Sequence, residues 1–107
     1  MSGTIARIIE LVALGDVRIS VHAYDRLVLN GLSVSEVVTS APTGEVLEDY
    51  PAYHAGPTVL VLQADGRGAP IHAVWGIERG TDRPAVLVTA YRPDPELWSA
   101  DFRRRKP

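Results

Sequence analysis

Cysteine is absent from this chain, which removes a disulfide framework, a thiol nucleophile and any thiolate-held metal together. Lysine is almost absent: ten of the eleven basic side chains are arginine, the better fork for carboxylate or phosphate, and only Lys106 is not. No apolar run reaches the length of a membrane span. Met1 to Glu10 has no basic leader and meets charges at Arg7 and Glu10, so no signal peptide is expected. These absences predict a soluble, cytoplasmic protein with no membrane partner. A global basic field is missing too, because the formal net charge is −2, and with it goes the bulk attraction that recruits nucleic acid. Repeats, low-complexity tracts and an internal boundary are not seen.

What remains is ordinary globular material: 107 residues, 46% apolar and 22% charged. That predicts one domain over residues 1–107, with its core at about 4–98 and a short basic tail at 99–107. The charge is uneven, with six basic and ten acidic side chains in residues 1–90 against five and three in 91–107. The run Arg103-Arg-Arg-Lys106 reads as a solvated terminus, too short to be a nucleic-acid arm.

Three β-branched and aromatic runs organise the chain: Gly56–Gln63, Ala69–Ile77 and Pro84–Tyr91, separated by Gly- and Asp-containing turns. They read as an antiparallel meander. Gly44–Tyr50, stopped by Pro51, adds a strand on which Val46, Glu48 and Tyr50 should share one face. Upstream, Ile5, Ile8, Ile9 and Val12 recur at helical spacing, and Gly15 follows as a stop. Asp16–Ser20 reads as a connector whose Ser20 caps a second helix over about Val21–Asn30. On that helix Val21, Ala23, Tyr24, Leu27 and Val28 fall on one side, and His22, Asp25, Arg26 and Leu29 on the other. Ser33-Val-Ser-Glu36 is a capping box for a third helix. The fold class expected is α+β, with N-terminal helices on one face of a four-stranded antiparallel sheet.

His72 is the one polar residue inside the middle run. Strand alternation places it opposite Trp75, which should be core, while Trp98 should dock the C-terminal turn. His22 and Arg26 sit one turn apart on the non-core helix face, where the pair suits an anion. His54, in the loop Ala52–Gly56, reads as a surface residue.

The segments Ser20-Val-His22-Ala-Tyr-Asp-Arg26, Gly44-Glu-Val-Leu-Glu-Asp-Tyr50-Pro51, Pro70-Ile-His72-Ala-Val-Trp75 and Thr89-Ala-Tyr91-Arg-Pro93 to Trp98, in this order and spacing, resemble the bacterial domain-of-unknown-function family DUF4258. The resemblance covers roughly residues 18–105. It implies a fold similar to the RelE- and barnase-like ribonuclease toxins, several of which are metal-independent ribonucleases of toxin–antitoxin systems. Carried over by motif, the candidate positions are His22, Arg26, Glu48, Tyr50, His72 and Tyr91.

Three functions are weighed. An endoribonuclease would use His72 or Glu48 as base, Arg26 as phosphate clamp and His22 or Tyr91 as acid, with Arg92 and Tyr50 helping to bind RNA and no cofactor. Its partners would be RNA and a cognate antitoxin, with a homodimer as one option. In this reading His22, Arg26, His72, Glu48 and Tyr91 share one cleft, and His72→Ala abolishes cleavage with little change in melting. The alternative is a non-catalytic interaction module holding an acidic group of its partner. A metal site from His22, His72 and Glu48 or Asp49 ranks last, since no short His spacing supports it.

Overall fold

The computed structural model describes residues 2–107, and its first helix, α1 (Gly3–Ala13), begins where Ser2 accepts a hydrogen bond from the Ile5 N–H through its side chain (3.3 Å). Ile5, Ile8 and Leu11 form the buried stripe of α1, and Gly15 turns the chain out at φ 73°. In α2 (Val21–Leu29), Ser20 Oγ accepts from the Ala23 N–H at 3.0 Å and donates to the Val88 carbonyl at 2.9 Å. One hydroxyl thus both caps α2 and fastens it to the sheet. Helix α3 (Val34–Ser40) starts from Ser33, whose hydroxyl accepts from the Glu36 N–H at 3.0 Å, and runs into a 3₁₀ turn at Ala41–Thr43.

Strands β2 (Glu45–Tyr50), β3 (Thr58–Ala64), β4 (Pro70–Gly76) and β5 (Ala85–Tyr91) pair in antiparallel succession. The expected four-stranded antiparallel sheet is corrected by a fifth strand, β1 (Val17–Ile19), which lies parallel to β5 with Val17 opposite Ala85 and Ile19 opposite Leu87. The sheet is mixed, in the order β1-β5-β4-β3-β2. Three residues carry no readable period, and their partner lies near the other end of the chain, so this stretch read as a connector. Their alternation fits the finding: Val17 and Ile19 pack against the core, and Arg18 is exposed.

All three helices contribute to one core on one face of the sheet, where Ile8, Leu11, Leu27 and Val37 meet Val59, Val61, Ile71 and Trp75. Trp75 is fully buried as expected. Its indole N–H donates to Gln63 Oε1 at 2.8 Å, and Gln63 Nε2 donates to the Val37 carbonyl at 2.7 Å and to Ser40 Oγ at 2.8 Å. A buried polar relay therefore ties the middle strand to α3.

The expected core face of α2 is also corrected. Only Ala23 and Leu27 are buried, while Val21, Tyr24 and Val28 are 79%, 52% and 79% exposed. The helix touches the sheet along a single narrow stripe, which the small Ala23 side chain allows.

Candidate functional site

The open face of the sheet is set by register. On β4, Ile71, Ala73 and Trp75 belong to the helix-side core, so alternation turns His72, Val74 and Gly76 to the other side. His72 is paired with Leu62 and Tyr91, Glu45 with Leu62, Glu48 with Leu60, and Tyr50 with Thr58. The expectation that Val46, Glu48 and Tyr50 share a face fails at a β-bulge between Val46 and Glu48. Leu47 is the extra residue, so Val46 packs on the core while Glu48 and Tyr50 are aimed to the open side, a re-aiming that bulges commonly produce.

The C-terminal segment, expected as a free solvated end, lies across half of that face. Lys106 N–H donates to the Leu97 carbonyl and Ser99 N–H to the Arg104 carbonyl, both at 2.8 Å, folding residues 97–106 back on themselves. Trp98 is 4% exposed, docked as expected, and meets the His72 ring edge-on with centroids 4.3 Å apart. The Arg105 guanidinium stands 4.8 Å over the Trp98 ring, a cation–π contact. Arg103 pairs with Glu45 at 2.6 Å and Arg105 with Glu48 at 3.2 Å. Phe102, at φ 60°, places its carbonyl oxygen 2.8 Å from His72 Nε2.

His72 is completely buried. A carbonyl only accepts, so Nε2 carries the proton and Nδ1 is left to accept the Tyr91 hydroxyl at a long 3.4 Å. Burial pushes the His72 pKa below the ordinary histidine value, Arg105 lowers it further, and the Phe102 contact and Glu48 oppose the shift. The ring is therefore neutral near pH 7. Burial likewise raises the pKa of Tyr91.

On the rim the chemistry differs. Glu48 accepts from the Tyr50 hydroxyl at 2.8 Å and from Arg105 Nε at 3.2 Å. Burial alone would raise its pKa, but the hydrogen bonds from Arg105 and Tyr50 prevail and hold it below the usual glutamate value. The bond to Glu48 raises the pKa of Tyr50. Glu48 is thus a carboxylate with a phenol and a guanidinium on it.

The depressed His72 pKa predicts a pH response. Below about 6.5 the unfolded chain takes a proton that the folded chain refuses, so stability is full above that pH and falls as pH drops toward the lowered native value. Thermal melts from pH 8 to 5 should show this loss, and His72→Gln should flatten it. Equal slopes in the two proteins would show that another group is responsible.

His22 and Arg26 do not join this cluster. They are exposed on α2, which packs on the opposite face, and line a shallow depression with Asp25, Val28 and Leu29. Arg92 is a clamp: its guanidinium meets Asp65 at 2.7 Å and the Pro70 carbonyl at 3.2 Å, and its N–H donates to Asn30 Oδ1 at 2.9 Å. His54 is exposed, with Tyr53 beside it at 4.3 Å. Among the described residues no three His, Cys, Asp or Glu side chains come together at metal-holding distance, and His22 and His72 lie on different faces. No described helix is long and apolar enough to cross a membrane.

Arg103, Arg105 and the Phe102 carbonyl were not anticipated as part of the cluster. The available signal was two aromatics, Trp98 and Phe102, just ahead of the basic run, a composition unusual for a solvated end.

The profile of a family described as Domain of unknown function (DUF4258) matches residues 19–92. Glu48, Tyr50, His72 and Tyr91 fall inside the matched stretch, and the covering segment lies beyond it. No curated protein and no solved structure gives a significant match.

Proposed function

The chain belongs to the DUF4258 family, whose description assigns no activity, and we propose that it acts on RNA as a metal-independent endoribonuclease of the RelE- and barnase-like toxin type, working at the Glu48–Tyr50–Arg105 rim. The observation that carries the reading is the partly buried Glu48 carboxylate, its side chain 26% exposed, holding both a phenol and a guanidinium at hydrogen-bond range, on a sheet face free of helices.

The roles follow from accessibility. Glu48, ionised near pH 7, takes the proton from a ribose 2′-hydroxyl, and the resulting oxygen attacks phosphorus. Arg105, whose side chain is 64% exposed, stabilises the charge that gathers on the phosphoryl oxygens. As the bond to the 5′-oxygen breaks, the Tyr91 phenol, kept protonated by burial, supplies the proton to it. The products are a 2′,3′-cyclic phosphate and a 5′-hydroxyl. His72 does not touch substrate in this arrangement. It is a positioning residue that holds the segment bearing Arg105. A cognate antitoxin would be an acidic partner for the Arg103–Lys106 run.

One observation favours a second reading, a non-catalytic interaction module: Glu45, Glu48 and His72 all contact the chain's own C-terminal segment. Fluorescence anisotropy with labelled single-stranded RNA separates the two at low salt, where phosphate contacts count most. The enzyme reading expects saturable binding that Arg105→Ala weakens about tenfold, roughly the value of one charge-assisted contact. Absence of binding at low salt would leave the interaction module standing.

A further inference from the structure

We infer that the uncovered half of the open sheet face is a nucleoside subsite, a groove that receives an amino-bearing base of single-stranded RNA between phosphates held at Arg18 and Arg105. The choice of ligand rests on the RNA reading above; the site itself rests on its own geometry.

A single ladder row crosses the whole sheet on this face: Arg18 opposite Val86, Val86 opposite Gly76, Gly76 opposite Thr58, and Thr58 opposite Tyr50. At about 4.8 Å per strand the row spans about 19 Å. One end is Arg18 and the other is the Tyr50–Glu48–Arg105 rim. Between them lies an open groove of about 470 Å³, within the range of small-molecule sites of roughly 300–1,000 Å³. Its floor is Val74, Gly76, Val86 and Val88, and Gly76 keeps the centre low where any other residue would add a side chain.

The wall is built rather than loose. Gly56 N–H donates to the Tyr53 carbonyl at 3.0 Å, Arg79 N–H to the Ala55 carbonyl at 3.0 Å, and Thr58 Oγ1 to the Gly56 carbonyl at 2.9 Å. Gly56, at φ 128°, lies so close to the Ile77 carbonyl that a Cβ would collide with it. This close approach fixes the loop that carries Tyr53, a ring 48% exposed at the groove edge, against the strand end that carries Glu78.

Two lining charges are unspent. Among the described residues, neither Arg18 nor Glu78 has an ion-pair partner. A guanidinium takes a phosphate. A carboxylate accepts from an exocyclic amino group, which guanine, adenine and cytosine carry and uracil does not. An apolar floor and an exposed tyrosine suit the flat body of a base. The groove also abuts the reactive rim, since Thr58 pairs with Tyr50, and His72 and Val74 are successive open-face residues of β4.

The test is a titration of the isotopically labelled 107-residue protein with adenosine, cytidine, guanosine and uridine 5′-monophosphates, and with valine as a zwitterion of similar end groups. Nucleotides should shift the resonances of Val74, Gly76 and Val86, with uridine weakest. Tyr53→Ala should weaken binding about tenfold, the worth of one base stack, and Glu78→Gln should erase the disadvantage of uridine. No perturbation of the groove by any nucleotide, or tighter binding of valine, would overturn the inference. The two readings fail separately: nucleotides in the groove without RNA cleavage sink only the enzyme, and cleavage indifferent to Tyr53 and Glu78 sinks only the subsite.

Discussion

Trp75→Ala is expected to lower stability by about 3–5 kcal/mol, the usual cost of emptying a large aromatic site. Trp75 is fully buried on the central strand of the sheet, so the neighbours have little room to collapse into the space. The substitution also leaves Gln63 Oε1 without its donor, inside a relay that reaches Val37 and Ser40 in α3. At about 4 °C or more per kcal/mol for a domain of this size, the melting temperature should drop by more than about 12 °C. Trp75→Phe separates the two parts, because it keeps most of the volume and loses only the donor, at a cost of about 1–3 kcal/mol. A Trp75→Ala protein melting within a degree or two of the parent would mean that the helix-side face has been misassigned.

The second large effect is at His72. A residue acting only on substrate could be truncated with little structural cost, which is what the shared-cleft ribonuclease reading of the sequence expects of His72. Here the ring is wholly buried, donates to the Phe102 carbonyl and supports Trp98. His72→Ala should therefore cost about 2–4 kcal/mol and loosen residues 98–105. The surface pairs Arg103–Glu45 and Arg105–Glu48 are too exposed to hold the segment alone. In a Trp75→Phe background, Trp98 becomes the only indole, and its emission should shift to the red when His72 is removed. Unchanged emission and melting would return His72 to the role of an accessible reactive group.

The parts that were legible in the sequence are those governed by local rules. Serine caps at Ser20 and Ser33, the alternation of β4 and the stop at Gly15 are short-range signals, and the structure places helices and strands accordingly. The opposition of His72 and Trp75 follows from a period of two. What was hidden depends on distant partners. Strand β1 has three residues and pairs with a strand near the other end of the chain. The bulge at Leu47 depends on how β2 meets β3, and no residue type in Glu45–Tyr50 announces it. Helical periodicity gave α2 a wide apolar face, but how much of it the sheet covers is decided by tertiary packing, so Val21 and Val28 stay exposed. That same placement separates His22 and Arg26 from His72: all three share the matched family stretch, yet the sheet stands between them. The fastening of the basic run was invisible for the opposite reason, since four consecutive cations normally stay in water. Here an adjoining tryptophan buries itself beside a histidine.

The measurement bearing most directly on the central claim is an end-group analysis of single-stranded RNA incubated with the purified protein in chelator. Fragments ending in 2′,3′-cyclic phosphate should appear with the parent, at a rate that rises as Glu48 ionises, and should vanish with Glu48→Gln, an isostere that still accepts from Tyr50 and Arg105 and should melt with the parent. Intact RNA with the parent protein, or undiminished cyclic-phosphate ends with Glu48→Gln, would contradict the assignment of Glu48 as the base of a ribonuclease.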